Sequence, residues 1–161
     1  MIVVVLLTLC FLHLRDRLAD HRYLKPGLWI GGISCLFLVA VITIGNRSEA
    51  ARGSVSVLTP LYSYMEAITG KNTEILRSNF MNVLLFYPAG LLIGSGLPQR
   101  WMRWQRVLLI MLLGIVISGC IEYCQYRYCL GICEVDDVIH NTLGATLGAL
   151  PGTAAYRRNT P

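Results

Sequence analysis

The sequence has few charged residues. Only 14% of its 161 residues are Asp, Glu, Lys or Arg, whereas 55% are apolar, and its mean hydropathy is +0.56. So few charges cannot cover the surface of a soluble globule of this size, and the length allows at most one domain of ordinary size. The composition therefore excludes a large catalytic domain and predicts a single membrane domain over residues 1–161, with the lipid bilayer as its surroundings.

The sequence also lacks the motifs by which many enzymes and nucleic-acid-binding proteins are recognised. It contains no nucleophile motif, no phosphate-binding glycine loop and no familiar spacing of metal ligands. The net charge of +5 is better explained by a charge difference between the two sides of a membrane than by a basic binding surface. We therefore expect no nucleic-acid partner and predict no metal site, and the sequence identifies no cofactor.

Uncharged apolar segments make up much of the chain. A helix needs about 20 residues to cross the roughly 30 Å hydrocarbon layer, so the longer segments cross it with help from their flanks, whereas the first segment is short. The pattern predicts an all-α, polytopic membrane helical bundle with four or five transmembrane helices. The segments are residues 2–12, 28–45, 80–97, 107–121 and 138–156.

The charges between these segments are unevenly distributed. Loops 13–27 and 98–106 and the C-terminal tail together hold nine Lys and Arg and two acids, whereas the opposite side holds five basic and seven acidic residues. The positive-inside rule places the first set, and with it the C-terminus, in the cytoplasm. Residues 46–79 then form an external loop, in which residues 63–70 are predicted to be a short amphipathic segment at the membrane interface.

Polar residues interrupt the apolar segments near their predicted outer ends. Ionisable residues at membrane depth usually face a cavity or a partner, so we expect these side chains to converge on one outward-facing polar pocket. Each also has a structural explanation: amides can join helices, Glu122 can lie at a solvated helix end, and the aspartates can cap a helix. The candidate pocket residues are Arg77, Asn82, Glu122, Gln125, Glu134, Asp136, Asp137, His140 and Asn141.

Two glycines in the last segment, Gly144 and Gly148, are spaced four residues apart. This small-xxx-small pattern lets another helix approach closely. The partner helix belongs either to the same chain or to a second copy in a homo-oligomer. A transporter is disfavoured, because five short helices without an inverted repeat leave a monomer little room for a substrate path.

Three blocks of these residues resemble a known family. In order and spacing, Asn82-x-x-x-Phe86-x-Pro88-x-Gly90, Ile121-Glu122-x-x-Gln125 and the stretch 133–148 are similar to the signature blocks of the VanZ-like family. The resemblance covers about residues 75–152. It implies a small multi-pass protein of the bacterial cell membrane and a link to resistance against the glycopeptide teicoplanin. The chain departs from the family pattern at Leu130, where many members carry Arg, and at Glu134, where Asp is frequent.

Two functions of different classes follow. The resemblance favours a non-enzymatic cell-envelope factor whose pocket binds a lipid head group or a cell-wall precursor and thereby lowers glycopeptide binding at the membrane. The alternative is a membrane-embedded enzyme that acts on a lipid-linked substrate at the outer leaflet. In that case Asp136 or Asp137 would be a metal ligand or base, Glu122 an acid or base, and His140 a proton carrier. The sequence does not decide whether the protein is an enzyme.

Overall fold

The computed structural model describes residues 2–19, 21–45, 55–70, 73–130 and 132–154. These residues form six helices and one two-stranded sheet, so the predicted all-α class is confirmed, with one short strand pair that the sequence pattern does not reveal. In chain order the elements are α1 (Ile2–Arg17), α2 (Leu24–Gly45), β1 (Val55–Val57), α3 (Tyr62–Gly70), α4 (Thr73–Gly96), α5 (Arg103–Arg127), β2 (Ile132–Glu134) and α6 (Val135–Gly152).

Two of these helices, α2 and α5, are long and apolar enough to cross a membrane. The other three predicted segments overlap α1, α4 and α6, and the last two residues of the predicted segment 138–156 lie outside the described part of the chain. Helix α1 has only 16 residues, and α6 has 18 with two acids in its first turn. Helix α4 has 24 residues, but its first two turns are polar, so a hydropathy pattern does not include them. The predicted segment therefore starts seven residues after the observed start of α4 at Thr73.

The central contact of the fold joins α4 and α6, which run parallel. A Cβ atom at Gly144, Gly148 or Gly152 would overlap the backbone carbonyl oxygens of successive turns of α4, and a Cβ at Gly90 would overlap the carbonyl of Ala145. Only glycine permits two backbones to approach so closely. We call this contact the glycine seam. The predicted close approach at Gly144 and Gly148 is therefore made within the chain, by α4.

The remaining long helices pack around this pair. Helix α5 is antiparallel to α6, and α2 is antiparallel to α4, where Gly32 faces Ile93. The α1 helix lies along α4 in the same direction, and the hydroxyl groups of Thr8 and Tyr87 are 3.0 Å apart. Side chains from several helices fill the core, among them Phe86 and Ile110.

This arrangement gives the bundle two ends. The acidic end comprises α3, β1, β2, the first turns of α4 and α6, and the last turns of α5. The basic end comprises the last turns of α1, α4 and α6 and the first turns of α2 and α5. The predicted external loop 46–79 lies at the acidic end. It contains β1, helix α3 and the start of α4, whereas residues 46–54 and 71–72 lie outside the described part of the chain.

Strand β1 pairs in parallel with β2, so that Ser56 lies opposite Cys133 and Val57 opposite Glu134. The pair connects the long loop to the residues directly before α6. It therefore brings the two chain segments that the sequence analysis treats separately to one place, next to the last turns of α5.

Candidate functional site

The carboxylate of Asp136 holds the N-terminus of α3. Its Oδ1 accepts the backbone N–H of Leu61 at 2.5 Å, and its Oδ2 accepts the backbone N–H of Ser63 at 2.8 Å and the Ser63 hydroxyl at 2.5 Å. Asn79 of α4 in turn donates to the Ser63 hydroxyl oxygen at 3.0 Å. Asp136 thus caps α3 although the two are far apart in the sequence. Asp136 links α3 to α6, and Asn79 links it to α4.

Asp136 also fixes the backbone conformation directly before α3. Leu61 adopts a left-handed backbone conformation with φ of 63°, which a leucine rarely does unless its surroundings hold it. The ionised carboxylate supplies that hold, since it accepts the Leu61 N–H.

His140 lies one turn further along α6 and makes a second contact with α3. Its Nε2 is 2.8 Å from the hydroxyl oxygen of Tyr64, and the two rings are 5.6 Å apart. The imidazole is buried, and its Nδ1 has no hydrogen-bond partner among the described residues. Asp136 and His140 therefore both serve to anchor α3.

Asp137 has a different environment from its neighbour in sequence. Its Oδ1 accepts the side-chain N–H of Asn82 of α4 at 2.6 Å, and both residues are half-buried. Adjacent residues on a helix point about 100° apart, which explains why the two aspartates reach different partners. Asp137 stays within reach of solvent at the acidic end, whereas Asp136 does not.

Glu122 lies at the end of α5, where it is only 4% exposed. Its Oε2 accepts the backbone N–H of Glu134 at 3.0 Å, so this carboxylate holds strand β2 against α5. Two amides predicted for the pocket instead join helices inside the bundle: Gln125 donates to the carbonyl of Thr43 at 3.2 Å, and Asn141 donates to the Ser118 hydroxyl at 2.8 Å.

A cavity of about 410 Å³ opens beside Glu122, which we call the head cavity. Its walls come from β1, the last turns of α5, β2 and the start of α6. They include Ser56, Glu122, Tyr123, Tyr126, Cys133 and Val138. This cavity lies at the acidic end, and a predicted pocket residue, Glu122, forms part of its wall.

The pKa of the Cys133 thiol reflects the negative charge around this cavity. Burial raises its pKa, and the nearby carboxylates of Glu122, Asp137 and Glu134 raise it further. The carboxylates of three predicted pocket residues are therefore close enough to the Cys133 thiol, in the cavity wall, to affect its pKa. The thiol stays protonated at neutral pH, which disfavours a role as a nucleophile or as a metal ligand.

Not every predicted residue joins this group. The Arg77 side chain is 75% exposed on α4 and pairs with Glu74 at 3.5 Å, away from the cavity. Among the described residues, no three potential metal ligands come together. The network also contains residues that were not predicted for the pocket: Ser56, Ser63, Tyr64, Tyr123, Tyr126 and Cys133. The aromatic residues around Tyr64 mark α3 in the sequence, but nothing in it shows that α3 meets α6.

Comparison with known proteins adds a family. A family model described as VanZ/LLP1 matches residues 29–153, which is 125 of the 161 residues. The chain belongs to the VanZ/LLP1 family. The match begins in α2 and ends directly after α6, so it contains the glycine seam and the head cavity. It confirms the VanZ-like resemblance, and the family membership together with the two apolar helices indicates a membrane protein. No curated protein and no solved structure matches the chain.

Proposed function

We propose that this VanZ/LLP1 protein is a cell-envelope factor of the bacterial cell membrane that lowers susceptibility to glycopeptides such as teicoplanin. In this proposal its outward-facing pocket at the acidic end binds a lipid head group or a cell-wall precursor. The observation that carries the proposal is the head cavity of about 410 Å³ with the buried Glu122 carboxylate in its wall. Cavities of this size with a few convergent polar groups are the usual form of a ligand site.

The proposal includes a membrane topology of five spanning helices, α1, α2, α4, α5 and α6, with a cytoplasmic C-terminus. Three features support it. The directions of these helices alternate along the chain, the predicted cytoplasmic loops lie at the basic end, and α3 exposes apolar side chains such as Met65 and Ile68 beside the acidic end, as an interfacial helix does. The head cavity then opens at the outer membrane surface.

The contacts favour binding over catalysis. Asp136 and His140, the proposed base and proton carrier of an enzyme, are both engaged in holding α3. Burial and nearby carboxylates keep the Cys133 thiol protonated. Glu122 lies in the wall of the head cavity and Asp137 is half-buried at the same end, and a pair of carboxylates suits recognition of a polar head group without any bond being broken.

The test is glycopeptide susceptibility in a sensitive Gram-positive host. Cells express the wild-type chain, Asp137→Asn, Glu122→Gln or the control Glu74→Gln at matched membrane levels. Glu74 is an exposed acid at the same end that pairs with Arg77 and is not among the residues that line the head cavity. We expect protection against teicoplanin by the wild type and Glu74→Gln, and about a tenfold smaller effect of the two pocket variants.

Two results would overturn the proposal. If no chain protects, the resistance role is wrong. If the carboxamide variants protect as well as the wild type, Glu122 and Asp137 are not part of the working site. Mass spectrometry of lipid-linked intermediates in the same strains separates the alternative: an accumulated or modified species that depends on Glu122 would favour the membrane-embedded enzyme.

A further inference from the structure

A second cavity adjoins the head cavity. It has a volume of about 370 Å³ and lies in the crevice between α5 and α6, where apolar side chains form most of its wall. We call it the chain groove. Val138 lines both cavities, so the two lie end to end. The chain groove is lined by Met111, Ile115, Val138, Ile139, Leu143 and Thr146, among others.

The two cavities differ in the polarity of the side chains that line them. The head cavity has a carboxylate, a serine and two tyrosines in its wall, whereas the chain groove is apolar apart from two threonines. From Val138 to Thr146 the helix rises about 12 Å, close to the roughly 15 Å depth of one leaflet. A chamber with a carboxylate and hydroxyl groups in its wall, next to an apolar groove of that length, has the dimensions of one lipid-like amphiphile.

The wall of the head cavity also indicates the charge of the ligand. Glu122 brings a carboxylate, and Tyr123 and Tyr126 bring two aromatic rings. None of the described residues that line it is Lys or Arg. Glu134 and Asp137 add negative charge nearby, because their carboxylates act on Cys133 in the wall. A carboxylate with aromatic rings is the combination that proteins use to bind ammonium groups.

We infer that the head cavity and the chain groove together bind an amphiphile with an ammonium head group, whose acyl chain lies between α5 and α6. The inference rests on the proposed function and specifies its ligand class. The ammonium group contacts Glu122 and the tyrosine rings, and the chain extends past Val138 toward Thr146. Binding involves ion pairing, cation–π contact and burial of the chain, and no bond is made or broken.

The experiment uses the full chain, reconstituted in phosphatidylglycerol vesicles. These contain a trace of a lipid with a diazirine in its acyl chain and a head group of ethanolamine, choline or glycerol. After illumination, mass spectrometry of peptides locates and quantifies the label. We expect α5 and α6 peptides to be labelled by the ethanolamine or choline lipid in preference to the glycerol lipid. Equal labelling by all three head groups would overturn the inference.

Variants test each half of the site. Glu122→Gln removes the charge and is expected to lower labelling by the ammonium lipids about tenfold, whereas Glu122→Asp retains most of it. The control Glu66→Gln, on the exposed side of α3, leaves labelling unchanged. Ile115→Trp fills the chain groove and blocks labelling there, whereas Leu112→Trp, an exposed position on α5 outside the groove, does not. Monodisperse size-exclusion profiles establish that the variants fold.

Competition separates a lipid from a free amine. Free ethanolamine should not compete with the labelled lipid, while an unlabelled ethanolamine lysolipid should. Equal competition by both would contradict a role for the chain groove.

The outcome of the labelling experiment is distinct from that of the susceptibility test. If Glu122→Gln loses glycopeptide protection but no head-group preference is found, the proposed function stands and this inference fails. If the head-group preference is found but the wild-type chain gives no glycopeptide protection, this inference stands and the proposed function fails.

Discussion

The two ends of the bundle are built from opposite chemistry. At the acidic end, carboxylates accept N–H groups at the starts of elements: Asp136 binds the first residues of α3, and Glu122 binds β2. At the basic end, guanidinium groups donate to carbonyl oxygens where a helix finishes: Arg15 binds the carbonyls of Gly152 and Ala154, and Arg103 binds that of Leu150. Both arrangements match the helix dipole.

The difference lies in what each end leaves accessible. The Arg15 side chain is only 2% exposed and links α1 to the last turn of α6, so it acts as a brace. Asp136 and His140 make comparable buried contacts at the acidic end, where a carboxylate also lines the head cavity and Asp137 is half-buried. The basic end has a cavity of about 260 Å³ between the end of α1 and the start of α2, but none of the described residues in its wall is a carboxylate. The proposed ligand site therefore lies at the acidic end, and we assign the buried Arg15 contacts of the basic end to stability.

The largest effect is expected from Gly144→Leu, because this change breaks the seam that holds both ends in register. Its side chain would overlap the backbone of α4 at Val83, and we expect a loss of more than about 3 kcal/mol or no folded protein at all. Thermal unfolding in detergent measures it. The control is Gly27→Leu, at an exposed helical glycine whose added Cβ meets nothing within 4 Å. Similar stability of both variants would contradict the seam.

A smaller, local effect is expected from Asp136→Asn, which acts on the acidic end alone. The change removes the charge that three donors share, and we expect a loss of about 2 to 4 kcal/mol. Hydrogen exchange followed by mass spectrometry should show faster exchange of the α3 amides, with α1 unchanged. In Asp137→Asn, which changes the contact with Asn82 of α4, α3 should keep its protection. Equal exchange in both variants would show that Asp136 does not hold α3.

The smallest effect is expected from Arg15→Gln at the basic end. Glutamine cannot reach both carbonyls at the end of α6, and we expect a loss of about 1 to 2 kcal/mol together with faster exchange in α1. The matched control Arg17→Gln changes an exposed arginine on the same helix. If α3 rather than α1 lost protection in Arg15→Gln, the two ends would not be independent, and the comparison would have to be abandoned.

Much of the helical framework follows from the sequence, because each long helix contains an uncharged apolar run. The close approach at Gly144 and Gly148 also follows from their spacing, although the spacing does not say whether the partner is α4 or a second chain. Hydropathy places the start of α4 too late, since Arg77 and Asn79 precede its apolar part.

The site was harder to predict, because its contacts join residues far apart in the chain. Ser63 and Asp136 are separated by 73 residues, and strands β1 and β2 have three residues each. No local pattern shows such pairings. Nor does the sequence show which way adjacent side chains point. It therefore predicts one pocket for Asp136 and Asp137, whereas Asp136 holds α3 and Asp137 contacts Asn82 of α4. Arg77, predicted for the pocket, lies on an exposed face of α4 instead.

The glycine seam has a consequence for how the protein is made. Helix α4 ends at Gly96, whereas the last glycine of the seam is Gly152, so 56 further residues must be synthesised before α4 meets its main partner. At about 5 to 20 residues per second, that takes roughly 3 to 11 s. Throughout this interval the carbonyl-lined face of α4 and the Asn82 amide lie uncovered. Helix α6 thus completes the packing of a helix that was synthesised well before it, and the α4–α6 contact forms by docking of two helices that are already made.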